Sequence, residues 1–549
     1  MTRSRWSAIA VVMAFLLLAG ACGDDDDSGS ADPGTGDGGT VPETTAGTTP
    51  GDDGGGDDGD LATTLRGRFA FDVATLDPIL LSNTAELAAG QILYEPLIEP
   101  AVDGDGVVNV LAETWDVADD GLSIEFTLKE GIQFHDGYGE LTAEDVKFSL
   151  ERAAGLLPGA EASGIAPFYA ALDRIEVTGT YSGTIYMSEP SVTMVEQALP
   201  LTRIYSQAAF DELGPDAFAQ QPIGTGPYEL DEVVAGEYVR FTNFVDYAGT
   251  SSYVPEQRFD EMIFYVITED NAAELAYEAG DLDLLVPVRA ASVERFEQLE
   301  NTSVTGYSTM IYRWIGMNIV DPALSNLDLR EAIIAAVDVP SIIEATSEGQ
   351  DTRATALVAP SAPIGYWEDA PVHEQDLDRA RELVEGIPED QRSLTFTIGD
   401  DEMSRTVAQV AQQNLEDAGL TVEIETLDAA SFFVTGESNR ERQLFYTEFG
   451  INYREPTQEL IWFTCDEIDG WNYMYWCDER YTELFHQTQT ELDRDAREAM
   501  YIEMQELMEA GKHSVWVSHP TTFIAARTDT VEVVVDAAGT VYHPALTPR

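Results

Sequence analysis

Along residues 61–549 apolar and polar positions recur with two periods, and stretches of one alternate with stretches of the other. "LSIEFTLKEGIQF" (122–134) has an apolar side chain at every second place and breaks at Glu130 and Gly131, so a hairpin turning there is predicted. Directly after it, "LTAEDVKFSLERA" (141–153) changes to the helical period. Thr142 stands at the N-cap with Asp145 three residues on, and Val146 and Leu150 share a face. "LREAIIAAVDVPSIIEATSEG" (329–349) and "RDAREAMYIEMQELMEAGK" (494–512) read as amphipathic helices with Gly349 and Gly511 at their C-caps. "LTFTIGD" (394–400), "GLTVEIETL" (419–427) and "TDTVEVVVD" (528–536) are β-rich runs. Strands alternating with helices predict α/β lobes, and no internal period of 20 to 50 residues supports a solenoid or propeller.

The first 60 residues follow neither period. "MTRSRWSAIAVVMAFLLLAGAC" sets Arg3 and Arg5 before an apolar run too short to span a bilayer, then small residues and Cys22. This is the pattern of a lipoprotein signal peptide (1–21), with Cys22 as the expected site of lipidation. Residues 22–60 are mostly Gly, Asp, Ser, Thr and Pro, too apolar-poor to offset their ordering entropy, and read as a disordered acidic tether. Its coil dimension is about 35 Å, enough to hold a folded body off a membrane. The net charge of −71 argues against nucleic acid and against an anionic membrane surface as partners.

Candidate chemistry changes this picture little. Residues 61–549 contain no G-x-S-x-G, H-E-x-x-H, phosphate-binding G-x-x-x-x-G-K-[ST] or G-x-G-x-x-G pattern, so neither an enzyme nor a cofactor is implied. The six His are scattered singly, which supports no metal site, and "DGDG" (103–106) lacks calcium-loop spacing and reads as a turn between strands. With Cys22 lipidated, Cys465 and Cys477 remain as a pair in an oxidising compartment, which favours a disulfide over the rival metal site.

Several motifs occur together and in order: "TLDP" (75–78), "ILYEPLIE" (92–99), "LAETWDVADDGLSIEFTLKEGIQFHDGYGELTAEDVKFSLER" (111–152), "PIGTGPYEL" (222–230), "FTNFVDY" (241–247), "AGDLD" (279–283) and "MNIVDPALSNLDLREAIIAAVD" (317–338). By these the chain resembles the extracytoplasmic solute-binding proteins of family 5, the dipeptide, oligopeptide and nickel receptors of ABC importers. The resemblance implies a monomeric receptor with a two-lobed type II periplasmic-binding-protein fold. Lobe one would comprise residues 61–100, 216–313 and 512–549, with an inserted subdomain at 101–215, and lobe two residues 314–511. Solute would be enclosed between the lobes and passed to ABC permease subunits in the membrane, without catalysis. Gly224, Gly226 and Pro227 are expected to set a tight turn rather than to touch solute.

The densest aromatic patch, residues 448–477, is where this chain departs from its peptide-binding relatives. There a W-x-x-D stretch ahead of an acidic-Pro pair holds the peptide's α-ammonium. In "FGINYREPT" (449–457), Phe449 takes the aromatic place, Asn452 the Asp place and Glu455-Pro456 the acidic-Pro place. A neutral amide forfeits the charge-assisted bond, worth about 1.5–3 kcal/mol, so the solute is either a peptide held otherwise or a non-peptide such as a sugar-like molecule or nickel chelate. In "GWNYMYWC" (470–477), Trp471 and Tyr473 are candidate contacts, and the resemblance again implies the Cys465–Cys477 disulfide. The expected solute contacts are thus Ser82, Asn83 and Thr84 from lobe one, with Phe449, Gly450, Asn452, Tyr453, Trp471 and Tyr473 from lobe two. The readings in competition from other classes are a secreted hydrolase and a binding module used in signalling.

Overall fold

Thr64–Phe69, the first strand, pairs in parallel with Glu261–Val266, which continues antiparallel through Tyr238–Asn243 to Tyr228–Val234. This sheet and a three-stranded one of Leu284–Val288, Thr521–Arg527 and Thr302–Ser308 form the first body of the chain. The computed structural model describes residues 62–102, 106–157, 163–434, 440–450, 455–536 and 538–549. Cys22, the leader and the tether therefore lie outside the described residues, as do Asn452 and Tyr453.

The second body is built on a six-stranded sheet ordered Thr352–Arg353, Ser514–His519, Tyr312–Met317, Leu444–Phe449, Ser393–Gly399 and Thr421–Leu427. Its apolar faces are buried by helices such as Leu327–Ala336 and Glu402–Asp417. The chain crosses between the bodies twice, and the crossings lie side by side. Thr309 N–H donates to Pro520 O at 2.8 Å, between the paired strands that enter and leave. The expectations that lobe one runs to residue 313 and takes in all of 512–549 are corrected: Tyr312–Met317 and Ser514–His519 pair with each other in the lobe-two sheet, and the return to lobe one begins after Pro520.

Residues 112–187 hold a separate four-stranded antiparallel sheet, ordered Ala112–Val117, Ser123–Leu128, Ser182–Met187 and Leu172–Gly179. Its core side chains Ile124, Phe126 and Ile185 join those of lobe one, Leu65 and Phe264 among them, in one continuous cluster. The hairpin expected to turn at Glu130 and Gly131 does not form. Ser123–Leu128 is an interior strand, whose neighbours are the preceding Ala112–Val117 and the distant Ser182–Met187. Ile98–Pro100 and Val107–Asn109 do pair around the segment 103–106.

Local rules explain most helix boundaries. Asp145 accepts from Thr142 N–H at 3.0 Å and Thr142 Oγ1 at 2.8 Å, capping Ala143–Ala153. The single helix expected at 329–349 is two, Leu327–Ala336 and Val339–Ser347, because Pro340 cannot continue a helix and Asp338 caps the second through Ser341 N–H. At the end of Arg494–Gly511 it is Lys512, not Gly511, that adopts the left-handed conformation, at φ 49°. Gly511 is needed for space, since a Cβ there would fall 2.8 Å from Trp476 Nε1.

Two pairs of sequence motifs meet as structural joints. Asp77 of "TLDP" is buried against Arg152 of "SLER", with Nη1 to Oδ1 at 2.7 Å and Nη2 to Oδ2 at 2.5 Å. His135 of "FHDG" lies against the "GTGPY" turn: its Nε2–H donates to Gly226 O at 3.0 Å, and its Nδ1 accepts from Gly224 N–H at 3.3 Å. Those glycines are required by close approach, because a Cβ on Gly224 would stand 2.1 Å from Leu93 O and one on Gly226 2.4 Å from Ile92 O.

Candidate functional site

The strand Leu444–Phe449 carries the aromatic patch to the edge of lobe two. Phe449, buried, lies 3.9 Å by ring centroids from Trp462, 5.5 Å from Trp314 and 6.4 Å from Trp471. Gly450 follows because the backbone of Ile311 is adjacent; a Cβ would meet Ile311 Cα at 2.4 Å. At the far side of 451–454, Glu455 is buried and anchored, accepting from Arg497 Nη2 at 2.8 Å and Tyr501 OH at 2.7 Å. Both ends of the segment that contains Asn452 are thus fixed in the core of lobe two.

The loop after the patch is closed by the Cys465–Cys477 disulfide. Asn472 Nδ2 also ties it, donating to Thr464 O at 3.0 Å and Trp476 O at 2.7 Å. Trp471 joins the Phe449 and Trp462 rings, whereas Tyr473 is packed edge-on against Phe445 with the Arg442 guanidinium 5.2 Å from its ring. Burial raises the Tyr473 hydroxyl pKa, so the phenol stays neutral. Of the expected lobe-two contacts, Phe449, Trp471 and Tyr473 are all buried in one core cluster, with Gly450 directly after Phe449.

The expected lobe-one contacts form a helix start. Asn83 is the N-cap of Thr84–Leu93, its Oδ1 accepting from Ala85 N–H and Glu86 N–H, both at 3.0 Å. The Glu86 carboxylate in turn accepts from Ser82 N–H at 2.8 Å and Ser82 Oγ at 3.0 Å. Ser82 and Asn83 are therefore committed to the loop itself, and Thr84 is exposed beside them.

A cavity of about 90 Å³ lies between residues 167–197 and lobe two. Phe168, Pro190 and Gln197 line one side; Gln458, Trp462 and Phe485 line the other. The two sides touch through Val192 N–H to Gln489 O at 3.0 Å and Gln197 Nε2 to Thr457 Oγ1 at 3.1 Å. The lining holds no Lys or Arg but does hold Glu189 and Glu467, and burial raises the pKa of the Glu467 carboxyl. Trp462 lines this cavity and packs against Phe449, so one ring links the cavity wall to the patch.

The sequence signal for Gln458 and Trp462 is their spacing of four within "EPTQELIW" (455–462), which sets both on one side of a helical turn. Gln197 has no such signal, because it lies 260 residues from its partner Thr457. Among the described residues no group of three or more His, Cys, Asp or Glu side chains is arranged to hold a metal ion, and no helix is long and apolar enough to cross a membrane.

Comparison with known proteins agrees with this architecture. Residues 106–470 match the family model for bacterial extracellular solute-binding proteins, family 5 middle. The glutathione-binding protein GsiB of Escherichia coli K12 is 26% identical over 392 residues, covering 71% of this chain and 74% of its own. Among solved structures, HbpA2 from Haemophilus parasuis superposes with a TM-score of 0.79 at 23% identity, covering 88% of this chain and 100% of that one. NikA from Brucella suis, in complex with Fe(III)-EDTA, gives a TM-score of 0.76 at 23% identity with the same coverage. With two sheet-built lobes joined by paired crossings, and a family model matched over most of its length, the chain belongs to the family 5 bacterial extracellular solute-binding proteins.

Proposed function

We propose that this chain is the lipid-anchored receptor of an ABC importer, capturing a peptide or peptide-like solute between its lobes and delivering it to the membrane permease. The observation that carries the reading is the cavity walled by both the insertion and lobe two, which shares Trp462 with the aromatic patch, a place where one solute contacts two bodies and so favours their closure. Cys22 carries the lipid, residues 22–60 tether the body to the membrane, and the receptor acts as a monomer. Lobe one is residues 61–100, 216–311 and 520–549, the inserted subdomain residues 101–215, and lobe two residues 312–519.

Phe449, Gly450, Asn452, Tyr453 and Trp471 face the solute from lobe two and Thr84 from lobe one. Ser82, Asn83 and Tyr473 hold these groups in place. A peptide-like solute is supported by the similarity to a glutathione-binding protein. An anionic metal chelate is disfavoured, because the cavity lining has two carboxyl groups and no basic side chain. The uncharged Asn452 and the rings beside it favour, as a second reading, a neutral non-peptide such as a sugar-like molecule.

Native mass spectrometry of protein purified without denaturation tests the reading. A retained mass resolving to a peptide or peptide derivative is expected, and a retained metal chelate would overturn it. Asn452→Asp is expected to tighten a dipeptide with a free N-terminus by about tenfold, the yield of one charge-assisted bond. Unchanged affinity in calorimetry would remove residue 452 from the solute site.

A further inference from the structure

The cavity contains amide atoms that no protein group satisfies. Gln458, 6% exposed, has neither Nε2 nor Oε1 hydrogen-bonded; Gln197, 1% exposed, uses Nε2 on Thr457 but leaves Oε1 unpaired. Both side chains line the cavity, one from the insertion and one from lobe two. A buried polar atom without a partner is destabilising, and such groups are rare in native proteins, so two side chains that carry them and line one cavity call for a group that completes them. The rest of the lining says what that group is. Phe168, Trp462 and Phe485 give apolar walls, and with Glu189 and Glu467 present and no Lys or Arg, an anion would enter uncompensated.

We propose that this cavity is a subsite for an uncharged amide-bearing side chain of a peptide-like solute, held jointly by Gln197 and Gln458. The inference rests on the receptor reading and names the chemical class that the receptor selects. A carboxamide matches the unpaired set: its N–H groups donate to Gln197 Oε1 and Gln458 Oε1, and its C=O accepts from Gln458 Nε2. A carboxylate of the same shape would set acceptors against acceptors, and a thioether or aliphatic chain would leave all three atoms unpaired. Because the two glutamines belong to different bodies, an amide that satisfies both also favours their approach.

The test is calorimetry of the folded chain with alanine tripeptides carrying Gln, Glu or Met at each position in turn, and with N-acetylglutaminamide alone. At one position the Gln peptide is expected to bind at least about tenfold more tightly than the Glu and Met peptides. Gln458→Met and Gln197→Met are each expected to reduce that ratio towards one. Their melting midpoints are expected to hold or rise, since each removes an unpaired buried amide, and this separates lost selectivity from misfolding. Equal affinities for the three peptides, or a Gln preference that survives Gln458→Met, would overturn the subsite and leave the receptor reading standing. Binding of N-acetylglutaminamide with no tripeptide bound would keep the amide subsite and overturn the peptide-receptor reading; binding of neither ligand would overturn both.

Discussion

Arg497→Met is expected to destabilise the protein by about 3–5 kcal/mol and to weaken solute binding, as read from urea unfolding and calorimetry. Arg497 is buried in the helix Arg494–Gly511, with Nη2 on Glu455 Oε1 at 2.8 Å and Nη1 on the carbonyls of Glu491 and Leu492 at 3.1 and 3.0 Å. Burial works against its charge, yet the hydrogen bond and attraction of Glu455 outweigh this and hold its pKa above the ordinary value. Removing the guanidinium leaves the buried Glu455 carboxylate with only Tyr501 OH at 2.7 Å. That is the costly half of breaking a buried pair, because one charge stays inside without its counterpart.

The functional consequence comes from where the pair sits. Glu455 ends the segment that begins at Gly450, and Arg497 also lies 3.6 Å from Glu196 on the opposite wall of the junction. One guanidinium thus fixes a flank of the proposed solute-binding turn and spans the same junction as the cavity. The double variant Arg497→Met with Glu455→Gln is expected to recover part of the lost stability, since no unpaired charge remains. If the double variant were as unstable as the sum of the single ones, the two side chains would not be coupled.

The parts of this molecule that were legible in the sequence are those decided by near neighbours. The Thr142 cap, the strands Ser393–Gly399 and Thr421–Leu427, and the helix ending at Gly511 follow from spacing within a few residues. Pro340 and Asp338 were in plain view, but a periodic apolar pattern on both sides masked the break they impose. What local pattern could not supply is the partner of a strand or side chain. Ser123–Leu128 looks like half of a hairpin until Ser182–Met187 occupies its other edge, and nothing near His135 shows that it braces Gly224 and Gly226. The candidate site divides in the same way. The rings beside Asn452 were visible as a cluster, whereas the cavity needs Gln197 and Thr457 to be brought together across 260 positions.

Titration should show a stability optimum with two limbs of different origin. Burial lowers His135, His519 and His543 to pKa about 4 and His513 to about 3. These folded values lie below the unfolded one of about 6.5, so the stability they confer is present above pH 6.5 and is lost as pH falls towards 4. Burial instead raises Glu459 to about 8 and Glu95 to about 7, Glu95 despite bonds from Thr250, Tyr247 and Thr225. Their folded values lie above the unfolded 4.5, so their contribution is full below pH 4.5 and is lost as pH rises through 7 to 8. Glu459 is the sharper case, because its Oε2 has no hydrogen-bond partner and each unit of separation corresponds to about 1.4 kcal/mol. Glu459→Gln keeps the shape and removes the proton, so the variant should match the wild type at pH 4.5 and exceed it by a few kcal/mol at pH 9 in urea unfolding. An alkaline limb equally steep in the variant would show that Glu459 is not the group that titrates.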